Sequence, residues 1–168
     1  MTETEHLRLR LPACADEVDY EALFRRPEVE AWLRPPPLQP FTAAEAREML
    51  HADIGHWRQL DYGPWVLIER PGGRFVGRVG LHRTTVEGEP ETELAWTVDP
   101  SHHGKGYATE AALAALDLAR EAGLRELVAM ALPENAASCR VAEKIGMRVE
   151  GEISHAGLPH LLYRLTLA

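Results

Sequence analysis

Val98-Asp99-Pro100-Ser101-His102-His103-Gly104-Lys105-Gly106-Tyr107-Ala108-Thr109-Glu110-Ala111 reads as the end of a strand, a turn bracketed by two glycines, and the start of a helix. Gly104 and Gly106 permit a left-handed or closely approached backbone that side chains forbid. A helix starting near Tyr107 aims its first unpaired N–H groups and the positive end of its dipole at that turn. The segment therefore reads as a cradle for an anionic, phosphate-bearing ligand. It is not a nucleoside-triphosphate loop, because G-x-x-x-x-G-K-[ST] would need glycine at Asp99 and a hydroxyl at Gly106. It is not a dinucleotide fingerprint either, since G-x-G-x-x-G meets Thr109 where its third glycine belongs.

Periodicity around the cradle sets the architecture. Leu7, Leu9 and Leu11 alternate as a strand, and Glu17 to Arg26 and Thr42 to Leu60 read as helices. Thr42, with Glu45 three residues on, forms a capping box. Trp65 to Glu69, Phe75 to His82 and Glu91 to Val98 read as successive strands of an antiparallel meander. Pro71-Gly72-Gly73 and Glu87-Gly88-Glu89-Pro90 are its turns. From Tyr107 to Ala122, Ala108, Ala111, Ala112, Ala115, Leu116 and Ala119 form a stripe at helical spacing that Gly123 stops. A strand at Glu126–Leu132, a helix at Asn135–Ile145 and strands at Met147–Ser154 and His160–Leu167 complete the pattern. The expectation is one domain over residues 1–168, a mixed α/β sandwich of about seven strands and four helices.

Two stretches carry a family resemblance. His103-Gly104-Lys105-Gly106-Tyr107-Ala108 resembles the Q/R-x-x-G-x-G/A signature of the GNAT acetyltransferases, with Gly106 and Ala108 in register and His103 where Gln or Arg is usual. Asn135-Ala136-Ala137-Ser138-Cys139-Arg140-Val141-Ala142-Glu143-Lys144-Ile145-Gly146-Met147 resembles the N-x-x-S-x-x-x-x-x-x-x-G-[FM] helix of that superfamily, above all its branch of ribosomal-protein-type N-acetyltransferases. Leu7-Arg8-Leu9-Arg10-Leu11-Pro12, with the acidic helix start behind it, resembles the first strand and helix of the branch. The resemblance covers nearly the whole chain and is weakest between Trp32 and Gly63.

The resemblance implies a GNAT-like, largely antiparallel sheet that splays open after Glu91–Val98. It implies acetyl-CoA as acetyl donor, with the pantetheine arm along the backbone of Trp96, Thr97 and Val98 and an amide near Val98 polarising the thioester carbonyl. The pyrophosphate would lie on the backbone of His103, Gly104, Lys105, Gly106, Tyr107 and Ala108. Asn135, read as an N-cap, also contacts the arm in the family, and Ser138 falls beside it. Leu94, Trp96 and Val98 share one strand face, so the Trp96 side chain is expected to pack inward and only its main chain to meet the arm.

Acetyl transfer to an amine needs the neutral amine, whereas an aliphatic ammonium has a pKa of about 10 and an α-amino group about 8. Glu93, on the strand beside the implied thioester site and matching a glutamate of the branch, is the candidate base, acting through water. Solvent, His82 or Tyr163 stand as its alternatives. The departing thiolate, with a pKa near that of cysteine at about 8.5, needs only a weak donor. Many family members use a tyrosine seven residues after the Asn position, but Ala142 stands there, which makes Ser138 the substitute candidate.

The expected activity is direct transfer of acetyl to a primary amine in a ternary complex. A protein N-terminus is the first acceptor; a small amine, polyamine or aminoglycoside-like molecule is the second. The departures at His103 and Ala142 leave a non-catalytic acyl-CoA-binding module as the alternative. Trp32, Phe41, Trp57 and Tyr62 fall in the region where relatives build the acceptor wall.

Composition bounds the rest. With 168 residues, 45% of them hydrophobic, the chain is long enough for a substantial core. A net charge of −8 disfavours nucleic-acid phosphates and suits a cationic acceptor. No membrane-length apolar run or secretory start is present, and Cys14 and Cys139 make no disulfide framework, so a cytoplasmic protein is expected, with a homodimer left open. His51 and His56 do not share a helix face, no H-E-x-x-H occurs and the cysteines form no pair, so no metal is expected. A buried, inert thiol is the reading of Cys139, rather than a nucleophile.

Overall fold

The computed structural model describes residues 1–168. In chain order its elements are β1 (Thr2–Glu3), β2 (Leu7–Arg10), α1 (Glu17–Phe24), α2 (Pro27–Leu33), α3 (Ala43–Leu60), β3 (Pro64–Glu69), β4 (Phe75–Val86), β5 (Glu89–Val98), α4 (Tyr107–Glu121), β6 (Glu126–Ala131), α5 (Ala136–Lys144), β7 (Arg148–His155) and β8 (Leu158–Thr166). One mixed sheet holds all the strands in the order β1-β2-β3-β4-β5-β6-β8-β7. Every junction is antiparallel except β5–β6.

Strand β3 shows why the sheet is covered on both sides. Trp65 and Leu67 enter the larger core, with α4 and the end of α5, while Val66 enters a second core with Tyr20, Leu23 and Phe24 of α1 and Ala46 and Leu50 of α3. Alternate residues of one strand thus bury against opposite helical layers. Most of the alanine stripe of α4 does what its spacing predicts: Ala111, Ala112, Ala115, Leu116 and Ala119 are all buried and their small size brings the helix close to the sheet, whereas Ala108, in the first turn, is half-buried and lines the cleft. At the start of α3, Thr42 Oγ accepts the Glu45 N–H at 3.1 Å while Glu45 Oε2 accepts the Thr42 N–H at 2.8 Å. That closes the predicted capping box.

The sheet has eight strands and five α-helices stand in place of four. Strand β1 is two polar residues with no hydrophobic alternation to announce it. Helix α2 buries only Val29, so it lacks an apolar stripe; Pro27 in its first turn and the acids Glu28 and Glu30 near its positive end favour it instead. The expected four-residue turn at Glu87–Pro90 is in fact the two-residue turn Glu87-Gly88, both left-handed at φ 49° and 90°. Strands β4 and β5 therefore run further toward each other than expected, their outer residues too polar to read as core strands. All other shared elements begin and end within two residues of expectation.

Beneath the sheet, a buried polar contact ties three elements together. Arg78 of β4 places Nη2 2.6 Å from Asp53 Oδ1 of α3, and Tyr20 of α1 donates its hydroxyl to Asp53 Oδ2 at 2.8 Å. Asp53 and Arg78 are 2% and 7% exposed, so removing one partner strands a charge in the interior. Asp53→Ala should lower the unfolding free energy by about 3–5 kcal/mol in a denaturant titration. A loss below about 1 kcal/mol, typical of an exposed pair, would show that the network does not hold α1 and α3 on the sheet.

Candidate functional site

The site begins where the sheet fails to close. Strand β5 is paired to β4 from Val86–Glu89 through Gly77–Val98. To β6 it is paired at one position alone, Glu93 with Val128. Beyond that point the strands part, and a cleft of about 1130 Å³ opens between them. Its walls include Glu93 to Val98, Met130 to Leu132, the glycine loop and the first turn of α5, with α2 and α3 across the mouth.

Gly104 and Gly106 adopt φ 79° and 81°, the left-handed conformation the sequence suggested. A Cβ at either position would meet no atom within 4 Å, so the loop's outer side is open. His103 N–H is bonded to Pro100 O, and the next bonded amide is Glu110 N–H on Gly106 O. The amides of Gly104 through Thr109 have no partner in the protein. They form the donor row that an anion at a helix N-terminus requires.

The loop's side chains do other work. His103 folds back on the end of β5, with Nε2 2.8 Å from Val98 O, where the expected motif would carry Gln or Arg. Asp99 accepts the Ser101 N–H at 2.8 Å and holds Arg26 Nη1 at 2.6 Å, fixing the turn before the glycines. Lys105, the loop's one cation, does not line the cleft; its Nζ lies 2.7 Å from Glu69 Oε1. Tyr107 donates its hydroxyl to the same oxygen at 2.8 Å. Lys105 and Tyr107 hold the Glu69 carboxyl down to a pKa of about 2. Because that pKa is depressed from 4.5, the contact is complete above about pH 4.5 and is lost only as pH falls toward 2.

Across the gap, Asn135 Oδ1 accepts the Ser138 N–H at 3.1 Å and caps α5. Trp96 packs partly against the main core, but its indole N–H also reaches over to donate to Ser138 Oγ at 3.1 Å, joining β5 to α5. Ala142 is buried and brings no hydroxyl, and Tyr163 lies in the core rather than in the cleft wall, its hydroxyl pushed up by burial.

Glu93 lies in the cleft wall at the pairing point itself. His82, its cross-strand partner on β4, puts Nε2 3.1 Å from Glu93 Oε2, while His82 Nδ1 is buried with no hydrogen-bond partner. The ring of His56 meets His82 edge-on at 6.2 Å. His56 Nδ1 is 2.9 Å from Ala52 O and Nε2 accepts the Arg83 N–H at 3.1 Å, which fixes the ring between α3 and β4. This histidine pair was missed, yet it was within reach: from a two-residue turn at Glu87-Gly88, counting back along both strands puts His82 opposite Glu93.

Trp32 and Phe41 line the cleft mouth, whereas Trp57 and Tyr62 belong to the main core and its margin. No group of three or more His, Cys, Asp or Glu side chains is arranged to hold a metal ion, and no helix is long and apolar enough to cross a membrane.

Residues 6–148 match the family model described as an acetyltransferase (GNAT) domain. A protein of Bacillus subtilis (strain 168), YkkB, is 29% identical over 167 residues, spanning 95% of this chain and 92% of its own. A GNAT-family acetyltransferase structure from Bordetella pertussis superposes with a TM-score of 0.83 at 26% identity, covering 97% of each chain. RimL, a ribosomal L7/L12 alpha-N-protein acetyltransferase solved with coenzyme A, shares the fold at 18% identity and a TM-score of 0.77, covering 98% of this chain and 96% of its own.

Gly106→Val places a β-branched residue at φ 81° and fills the open side of the loop. Coenzyme A affinity, read by calorimetry, should fall by about tenfold or more while the variant stays folded. Unchanged affinity in the folded variant would show that the loop is not the anion seat.

Proposed function

The chain belongs to the GNAT acetyltransferase family, and from that premise we propose that it transfers acetyl from acetyl-CoA directly to a primary amine, both substrates being held together in the open cleft. The observation that carries the reading is the row of unpartnered amides from Gly104 to Thr109, presented to a cleft bounded by the free edge of β5. Six neighbouring N–H donors at the positive end of α4 suit a pyrophosphate, and they supply it without a side-chain cation. The backbone of Trp96, Thr97 and Val98, with Asn135 and Ser138 opposite, would hold the pantetheine arm. Bound there, acetyl-CoA supplies an activated thioester carbonyl and a thiol of modest basicity.

The protein's part is then proton management. Glu93 receives the proton of the incoming ammonium, through one water, at the position where β5 and β6 begin to part. His82 Nε2 lies 3.1 Å from Oε2, a contact that orients the carboxylate within the cleft wall. Ser138 Oγ accepts from the Trp96 indole, so its own hydrogen is free to point at the departing sulfur, and the indole bond polarises it as a donor. A serine suffices because a thiolate of pKa about 8.5 leaves readily. The acceptor we propose is a protein N-terminal amine, by likeness to RimL, with a small amine second.

Glu93→Gln keeps the side chain's shape and removes its basicity. Activity near neutral pH should fall by about tenfold or more and recover partly as pH rises toward the acceptor's own pKa, where more amine is already neutral. Thiol release against a panel of N-terminal peptides and small amines provides the assay. Parallel pH–rate profiles for the two proteins would assign the proton to solvent or another group.

A further inference from the structure

The amide row has no internal means of keeping its shape. Between the His103 N–H on Pro100 O and the Glu110 N–H on Gly106 O no backbone bond restrains it, and two of its residues are glycines in the left-handed region. Both side-chain bonds that the segment from Gly104 to Tyr107 makes end on a single atom, Glu69 Oε1, reached by Lys105 Nζ at 2.7 Å and Tyr107 OH at 2.8 Å. Glu69 is 7% exposed and rigidly mounted. It closes β3 opposite Leu7, its N–H donates to Arg74 O at 2.8 Å, its carbonyl accepts the Gly73 N–H at 3.0 Å, and Arg74 Nη2 lies 3.0 Å from Oε2. His102 Nε2, one residue before the loop, is 3.8 Å from the same carboxylate.

We infer that Glu69 is the positioning residue of the phosphate seat: it holds the glycine loop from behind through Lys105 and Tyr107, keeping the amides of Gly104 to Thr109 convergent on the cleft without touching the ligand. The inference rests on the reading that these amides receive the pyrophosphate of coenzyme A. It assigns Lys105 a tether's role; the seat is made of backbone, and its cation is engaged on the far side. A contrary arrangement, in which Lys105 swings out to bind phosphate and Glu69 merely competes for it, makes the opposite prediction, because freeing Lys105 would then tighten binding.

Glu69→Gln and Tyr107→Phe are compared with wild type and Gly106→Val by calorimetric titration with coenzyme A at two salt concentrations, well below each variant's melting temperature. Loss of the carboxylate charge that holds Lys105 should raise Kd by about tenfold in Glu69→Gln, and loss of one tether by about threefold in Tyr107→Phe. KM for acetyl-CoA should rise in parallel while kcat stays within about twofold, a split that simple destabilisation does not produce. Unchanged or tighter binding in Glu69→Gln, with Gly106→Val still weakened, would overturn the anchor and leave the loop reading intact. Unchanged binding in Gly106→Val would overturn both. Should Glu69→Gln fail to fold, Tyr107→Phe decides the matter by the same criterion.

Discussion

A single parallel pairing, Glu93 with Val128, governs the molecule. It keeps β5 and β6 in one sheet at one end while allowing them to separate at the other, so a strand edge normally sealed by its neighbour faces a cleft. A parallel junction also needs a crossover, and here the crossover is α4, whose N-terminus begins close after β5 ends. The free strand edge, the unpartnered helix amides and the first turn of α5 therefore meet at one opening as a consequence of connectivity. Were β5 and β6 paired along their length, the same residues would form a closed wall.

The electrostatics show why global charge is a poor guide to an anion site. The chain carries a net charge of −8, yet the amide row proposed to seat a phosphate calls for no excess of cations. Backbone dipoles provide it locally, and Lys105 is engaged by Glu69. For the amine acceptor proposed above the same negative balance would be an asset, since a protonated amine would approach carboxylates including Glu93. On the proposed reading, donor and acceptor of opposite charge would be drawn to one cleft by different devices.

Much of this was legible in the residues. The α4 stripe, the Thr42–Glu45 box and the glycine pair are local signals, each fixed by the chemistry of a few neighbouring positions, and each falls where expected. Helix α2 escaped because burying Val29 alone leaves no period to detect. The β4–β5 turn was read two residues too long, and that error hid the opposition of His82 and Glu93. Glu69 had no signal at all: its link to Lys105 spans 36 positions of sequence and exists only because β3 ends behind the loop. The glycine turn and the helix start behind it were readable from a motif, whereas the contacts of Glu69 behind that turn are a product of tertiary packing.

Backbone amide resonances followed by NMR during titration with coenzyme A would test the central claim most directly. The account predicts that Gly104 through Thr109, together with Trp96 to Val98, show the largest shifts, and that the amides of Gly104 through Thr109 become protected from hydrogen exchange, because donors without a partner in the protein acquire a ligand. Amides of the loop that keep their free-state shifts and exchange rates at saturation, with perturbation concentrated elsewhere, would contradict it.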